Sequence, residues 1–263
     1  MRLFTRPRPR PIEPEDLAFL EAARSRWFAS AAGRLRIYEW PVEGCPADAP
    51  GVLIVHGWRS NTARLREIIE ALRARRLRVA AFDAPGHGHS PGHRLDLESY
   101  RGMIAAVAHD CGPIQAVVAH SFGALTAMSW LADGLEGVPL RAAALIGIPR
   151  GVAFLFDSFT AVIGLCPAVV ERMRALFRRR YGRDPDSYRS TEMAARVHLP
   201  VLLVHGGADE LVPAAHSEEL AGALKAGRLH LFPTLSHGGP LRDPRTVSLV
   251  ADFIADHFPP CRL

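Results

Sequence analysis

Apolar residues fall along this chain in two alternating kinds of stretch. Continuous apolar runs at 51–56, 77–83, 114–120, 140–148, 201–205 and 228–232 have the length and composition of strands, and the cleanest read as buried on both faces. Between them, apolar positions recur every three or four residues. In 62–76, for example, Leu65, Ile68, Ile69 and Leu72 share one helical face. The same spacing predicts helices over 97–109, 121–131, 214–225 and 245–257. It also predicts a first helix over 13–29, through Leu17, Leu20, Ala23, Trp27 and Phe28, and residues 35–40 alternate like a strand. Repeated strand–helix units imply an α/β fold, with a mostly parallel central sheet flanked by helices on both faces.

One segment breaks the rhythm. Residues 150–196 are helix-like or irregular throughout and separate two strands, a span too long for an ordinary connection. We read them as a small helical cap inserted into a core made of 13–149 and 197–263. Residues 1–12 alternate Arg with Pro and read as a flexible basic arm. The chain contains no internal repeat.

Composition narrows the class without deciding the chemistry. The 263 residues are 48% hydrophobic and 22% charged, ordinary values for a globular protein with one large domain. The longest apolar stretch, 151–170, is interrupted by Asp157, Ser158, Thr160 and Pro167, so no membrane span is expected. The net charge of +5 raises the question of an anionic partner, yet Lys225 is the single lysine among 32 cationic residues. The arginines are scattered apart from 73–76 and 178–180, and no nucleic-acid-binding motif accompanies them, so no nucleic-acid partner is expected. Arg172, Arg174 and Arg178 to Arg180 read as a solvated face. Cys45, Cys111, Cys166 and Cys261 are far apart and form no CxxC pair, which argues against a metal site and against a disulfide framework. The basic start lacks the apolar core of a signal peptide, which makes the cytoplasm the default compartment. A monomer or homodimer is expected.

In a parallel sheet, ligands gather at the carboxyl ends of the strands, so what each strand ends in matters most. The run 114–120 ends in Ala119-His120-Ser121-Phe122-Gly123. Small residues two positions either side of Ser121 permit a tight strand-to-helix turn that lifts the hydroxyl clear of the sheet. Such a turn places the Phe122 N–H at a helix start, facing any developing oxyanion. A serine merely capping a helix is the plainer reading of this one motif. His56-Gly57-Trp58 closes another strand, with the Trp58 N–H placed as a second donor to the oxyanion. Asp83-Ala-Pro85-Gly86-His87-Gly88-His89-Ser90 closes a third and reads as a brace, with Asp83 also a conceivable catalytic acid. A metal site from His87, His89 and His93 lacks a matched acidic ligand.

Taken together, the His56-Gly57 turn, the Asp83-x-Pro85-Gly86-x-Gly88-x-Ser90 loop and the Ser121 turn resemble successive signatures of the α/β-hydrolase superfamily. The likeness extends over 35–257 and departs from the usual G-x-S-x-G only at Ala119. It implies an acid and then a histidine further along. Asp209, ahead of Val212-Pro213, matches the acid position, with Glu210 a weaker neighbour; His237, in Ser236-His237-Gly238-Gly239, matches the histidine. His205 reads as a packing or loop-orienting residue. The expectation is a cofactor-free serine hydrolase that cleaves carboxylic esters of small or medium hydrophobic substrates through Ser121, His237 and Asp209. Ser121 argues against the superfamily members that use an aspartate nucleophile. The substrate pocket is expected at His56, Gly57, His120, Phe154 and Phe159. A thioesterase or acyltransferase on the same residues, and a non-catalytic ligand-binding relative, are the alternatives.

Overall fold

A computed structural model of the chain describes residues 4–8, 11–31, 33–46, 49–135 and 137–258. Its centre is an eight-stranded sheet in the order β1-β2-β4-β3-β5-β6-β7-β8. The strands are β1 (Arg24–Ser30), β2 (Gly33–Trp40), β3 (Gly51–Val55), β4 (Arg78–Asp83), β5 (Ile114–His120), β6 (Ala142–Ile146), β7 (Val201–Gly206) and β8 (Gly227–Phe232). β1–β2 and β2–β4 pair antiparallel, and every other pairing is parallel. Strands β3, β4, β6 and β7 are buried along their whole length and β5 everywhere but at Gln115, as their mainly apolar runs require.

Helices cover both faces. They are α1 (Pro14–Glu21), α2 (Arg66–Ala74), α3 (Leu97–Asp110), α4 (Phe122–Asp133), α5 (Val152–Val162), α6 (Pro167–Tyr181), α7 (Ser190–Ala194), α8 (Ala215–Ala223) and α9 (Pro244–Ala255). The apolar face expected over 62–76 is real, but its first turn is a tighter 3₁₀ turn, Thr62–Leu65, before α2 begins. Alternate residues of the buried strands feed two apolar layers. Leu53, Val117 and Leu203 point into one, against α3 and α4; Val52, Val118 and Leu202 point into the other, against α2 and α9.

The first helix is shorter than its spacing predicts. It stops at Glu21, and residues 24–30 are β1, hydrogen-bonded in a hairpin to β2. Trp27 and Phe28 fit helical spacing, but they are also strong strand formers, and pairing opposite Arg36 and Leu35 decides the outcome. The Arg34 and Arg36 guanidinium groups lie over the Trp27 ring at 4.6 and 5.1 Å and cover this edge strand. The expectation against disulfides fails at Cys45, which is disulfide-bonded, whereas Cys111 and Cys166 are free thiols. Cys261 lies outside the described residues. No described helix is long and apolar enough to cross a membrane.

Residues 150–196, between β6 and β7, carry α5, α6 and α7 and are pinched together at their base. Gly151 bridges Arg189, and the Ser190 N–H donates to the Arg150 carbonyl at 2.8 Å. Of the α6 arginines, Arg172 and Arg178 to Arg180 are exposed as their pattern suggests, whereas Arg174 is half-buried. Arg174 lies 2.9 Å from Asp186, Arg178 2.8 Å from Asp184 and Arg180 3.6 Å from Asp96.

Asp83, at the end of β4, is the brace between the sheet and the loops beside the site. Its Oδ1 accepts from the Thr62 N–H at 2.9 Å, and its Oδ2 accepts from the Tyr38 hydroxyl at 3.0 Å and the His89 N–H at 2.9 Å. Asp83 itself is wholly buried. An asparagine would set an N–H₂ group against one set of these donors. Asp83→Asn is therefore expected to lower unfolding stability by about 2–3 kcal/mol, read as a shift in the urea midpoint.

Candidate active site

The carboxyl ends of β3, β5, β6 and β7 meet on one edge of the sheet, and the turn between β5 and α4 stands at its middle. Ser121 occupies that turn with φ 56° and ψ −123°, a conformation a side-chain-bearing residue adopts at a cost of about 1–3 kcal/mol. Neighbouring backbone holds it there. The Ser121 N–H donates to the Ile146 carbonyl at 2.8 Å, and its own carbonyl accepts from the Leu125 N–H at 3.1 Å. Gly123 explains why the turn can be so tight: a Cβ there would stand 2.3 Å from the His56 carbonyl oxygen. Ala119, the departure from the usual motif, is fully buried within β5.

Ser121, His237 and Asp209 form a continuous hydrogen-bonded relay. His237 Nε2 lies 2.9 Å from Ser121 Oγ, and His237 Nδ1 lies 2.6 Å from Asp209 Oδ2. The second oxygen of Asp209 accepts the Leu211 and Val212 N–H groups, both at 2.9 Å. Burial on its own would raise this carboxyl. Hydrogen bonds from His205, His237 and the Val212 N–H outweigh it and hold Asp209 well below the usual carboxylate range. The anion obliges His237 to keep its proton on Nδ1, which leaves Nε2 free to accept from Ser121.

His205 is more than packing. Its Nε2 faces two acceptors, the Val212 carbonyl at 2.8 Å and Asp209 Oδ2 at 3.2 Å, so it carries the proton there. Its Nδ1 then accepts from the Ser217 hydroxyl at 2.6 Å. Asp209 is thus gripped by two imidazoles and two backbone N–H groups. Glu210, its neighbour in sequence, is exposed.

The other predicted residues separate. Gly57 lies directly beside the serine: a Cβ on it would stand 3.0 Å from Ser121 Cβ. Trp58 and Phe122 line an apolar cavity that also touches Ser121, and their rings meet edge to face at 5.7 Å. Phe159 lines the same cavity. Phe154 does not. It sits in a separate depression with Arg150 and Asp157, its ring 4.5 Å from His216, because Val152, Leu155 and Phe159 share the inward face of α5 and Phe154 falls on the other. His56 is buried beneath the cavity, its Nδ1–H donating to the Gly57 carbonyl at 2.8 Å and its Nε2 accepting from the Ala84 N–H at 2.9 Å. His120 is likewise a support, with Nε2 3.1 Å from the His237 carbonyl.

Much of the cavity wall escapes sequence reasoning. It has a volume of about 210 Å³, and Leu95, Leu97, Tyr181 and Tyr188 line it together with Phe4 and Thr5. Leu95 lies in the irregular loop that enters α3, Leu97 is the first residue of that helix, and the two tyrosines are separated in sequence, so no shared period marks the four as one wall. The acidic groups at its rim are already engaged: Glu98 accepts from the Tyr188 hydroxyl at 2.6 Å and pairs with Arg101 at 3.0 Å.

A family model described as "Alpha/beta hydrolase family" matches residues 52–200. The chain belongs to the alpha/beta hydrolase family. The chain is 25% identical to a monoacylglycerol lipase of Mycolicibacterium smegmatis over 252 residues, covering 80% of this chain and 88% of that one. It is 27% identical to a pimeloyl-[acyl-carrier protein] methyl ester esterase of Vibrio atlanticus, covering 75% of this chain and 90% of the relative. Among solved structures, an esterase of Pyrococcus furiosus superposes with a TM-score of 0.67 at 18% identity, covering 97% of each chain, a likeness of fold.

Three buried imidazoles around the site make stability depend on pH. Burial lowers His56 to about 4; burial, with the neighbouring His56, lowers His87 to about 3; burial, with the neighbouring His237, lowers His120 to about 3. Each ring is neutral in the folded protein but takes up a proton near pH 6.5 when unfolded. Their contribution is complete above pH 6.5 and is lost as pH falls, down to about 4 for His56 and about 3 for His87 and His120, at up to about 1.4 kcal/mol per pH unit for each ring. Urea denaturation at pH 7 and pH 5 is expected to give clearly lower stability at pH 5, and equal stabilities would contradict neutral burial of these rings.

Proposed function

We propose that this protein is a serine hydrolase that cleaves carboxylic esters of small or medium hydrophobic substrates. The observation that carries the reading is the unbroken Ser121–His237–Asp209 relay opening on an apolar cavity. The chemistry follows from its geometry. His237 Nε2 takes the proton from Ser121 Oγ as the oxygen attacks the ester carbonyl. Asp209 holds the ring in the tautomer that permits this and stabilises the imidazolium that results. The tetrahedral oxygen bears the negative charge, and the Trp58 and Phe122 N–H groups are assigned to it. Phe122 opens α4, so its N–H has no partner within that helix. Gly57 is pressed against Ser121, and the Trp58 N–H that follows it in the chain is assigned as the second donor.

Collapse of the intermediate expels the alcohol, protonated by His237, and leaves an acyl group on Ser121. Water then gives a proton to His237 as its oxygen bonds to the acyl carbon. The second tetrahedral intermediate breaks its bond to Ser121 Oγ, which takes the proton back from His237 as the acid leaves. Residues 150–196 act as a cap: α5 and α6 supply one wall of the cavity and exclude water from it. The names of the lipase and esterase relatives agree with ester cleavage. The predominantly apolar lining favours an acyl or alkyl chain over a charged group.

Fluorophosphonate labelling of the purified protein tests the reading. Intact mass is expected to show a single adduct, and digestion is expected to place it on Ser121. Ser121→Ala should abolish the adduct, and His237→Ala should slow its formation by several orders of magnitude. A folded protein that takes no adduct and hydrolyses no nitrophenyl ester would sink this mechanism.

A further inference from the structure

Residues 4–8, part of the segment read from its Arg/Pro alternation as a flexible arm, lie across the site as a strap that begins in a turn at Phe4 and Thr5. Side chains alternate along it: Thr5 and Pro7 are buried, Phe4 is half-buried, and Arg6 and Arg8 are exposed. Three contacts fasten it to three different parts of the site. The Thr5 carbonyl accepts from the Leu95 N–H at 2.9 Å, at the loop that enters α3. The Arg8 carbonyl accepts from the Arg59 side chain at 2.9 Å, and Arg59 directly follows the Trp58 assigned to the oxyanion. Pro7 rests on the turn at Gly86, with its Cγ 3.2 Å from where a Cβ on that glycine would stand.

The strap delivers Phe4 to the cavity that touches Ser121. There its ring meets Phe156 at 4.4 Å and Phe159 edge-on at 5.3 Å, both on α5. Phe156 is fully buried and in turn meets Phe177 of α6 edge to face at 5.6 Å. Phe4 therefore completes an aromatic wall against a fixed surface. The cavity's volume of about 210 Å³ is below the roughly 300–1,000 Å³ common for ligand sites, and Phe4 is part of the wall that bounds it.

We propose that Phe4 is a specificity-determining residue, whose ring limits the length of the hydrophobic chain the cavity accepts. This rests on the ester-hydrolase reading for its kinetic consequence, but the wall itself is a property of the cavity. A chain entering beside Ser121 must end at, or pass, the Phe4 ring. Each methylene accommodated or refused in such an apolar pocket changes selectivity by about tenfold or more. Replacing the ring by a methyl group opens the wall, and replacing it by an indole closes it further.

The test uses the full chain carrying Phe4→Ala or Phe4→Trp beside the unaltered protein, with two readouts. In the first, kcat/KM is measured on nitrophenyl esters from acetate to decanoate. Phe4→Ala is expected to raise the decanoate-to-butyrate ratio by about tenfold or more, and Phe4→Trp to lower it. In the second, calorimetric titration with straight-chain alcohols from hexanol to dodecanol follows binding with no chemistry at Ser121. The longest tightly bound chain should lengthen in Phe4→Ala and shorten in Phe4→Trp. An unchanged order of chain preference in both readouts overturns the proposal. So does an equal gain for every chain length in Phe4→Ala, which would make Phe4 a gate and not a wall. If no ester is cleaved but the titration shifts as described, the hydrolase reading fails and the wall stands.

Discussion

The backbone of Ser121 is held in a conformation that a residue with a side chain resists, and the centre of this molecule is organised around keeping it there. The turn can close only because Gly123 lets α4 settle on the end of β3, with the His56 carbonyl where a side chain would otherwise be. That carbonyl is itself fixed by the Tyr100 hydroxyl at 2.8 Å, and the His56 ring is tied to the start of the Asp83 loop through Ala84. Strain at one residue is thus distributed through two strands, a helix and a buried ring.

Around that point the polar groups divide by burial. His56, His87 and His120 are kept neutral because nothing anionic compensates their desolvation enough to charge them. Asp209 is buried too, yet it meets two imidazoles and two backbone N–H groups, and it stays ionised. The same dry environment therefore discharges one set of groups and preserves the charge of another, according to the donors each one meets.

The parts of this arrangement that were legible in the sequence were those with a local cause. Continuous apolar runs marked strands β3 to β8, the end of one run pointed to Ser121, and the family resemblance pointed on to Asp209 and His237; the fold brings the three within hydrogen-bond reach. Elements whose form is decided by distant partners were not legible. β1 looked helical because Trp27 and Phe28 satisfy both periods, and only the hairpin with β2 settles them. Phe154 and Phe159 both looked like lining residues, and the rotation of α5 separates them. Phe4 offered no signal: a lone aromatic among arginines and prolines has no period, and its place depends on loops far along the chain.

The relay joins side chains 116 positions apart in sequence, and its carboxylate arrives from a third strand beyond the inserted helices. No hairpin, helix pair or single strand–helix unit can contain it. Parallel sheets close their long loops late, since the entropic cost of each crossover precedes its reward. The hydrogen-bonded Ser121–His237–Asp209 relay is therefore complete only in a chain whose sheet has closed from β5 through β8. On the proposed reading, the reactivity of Ser121 during refolding would serve as a clock for the arrival of the last strands, where helix content or burial of the first core layer would register only the earlier ones.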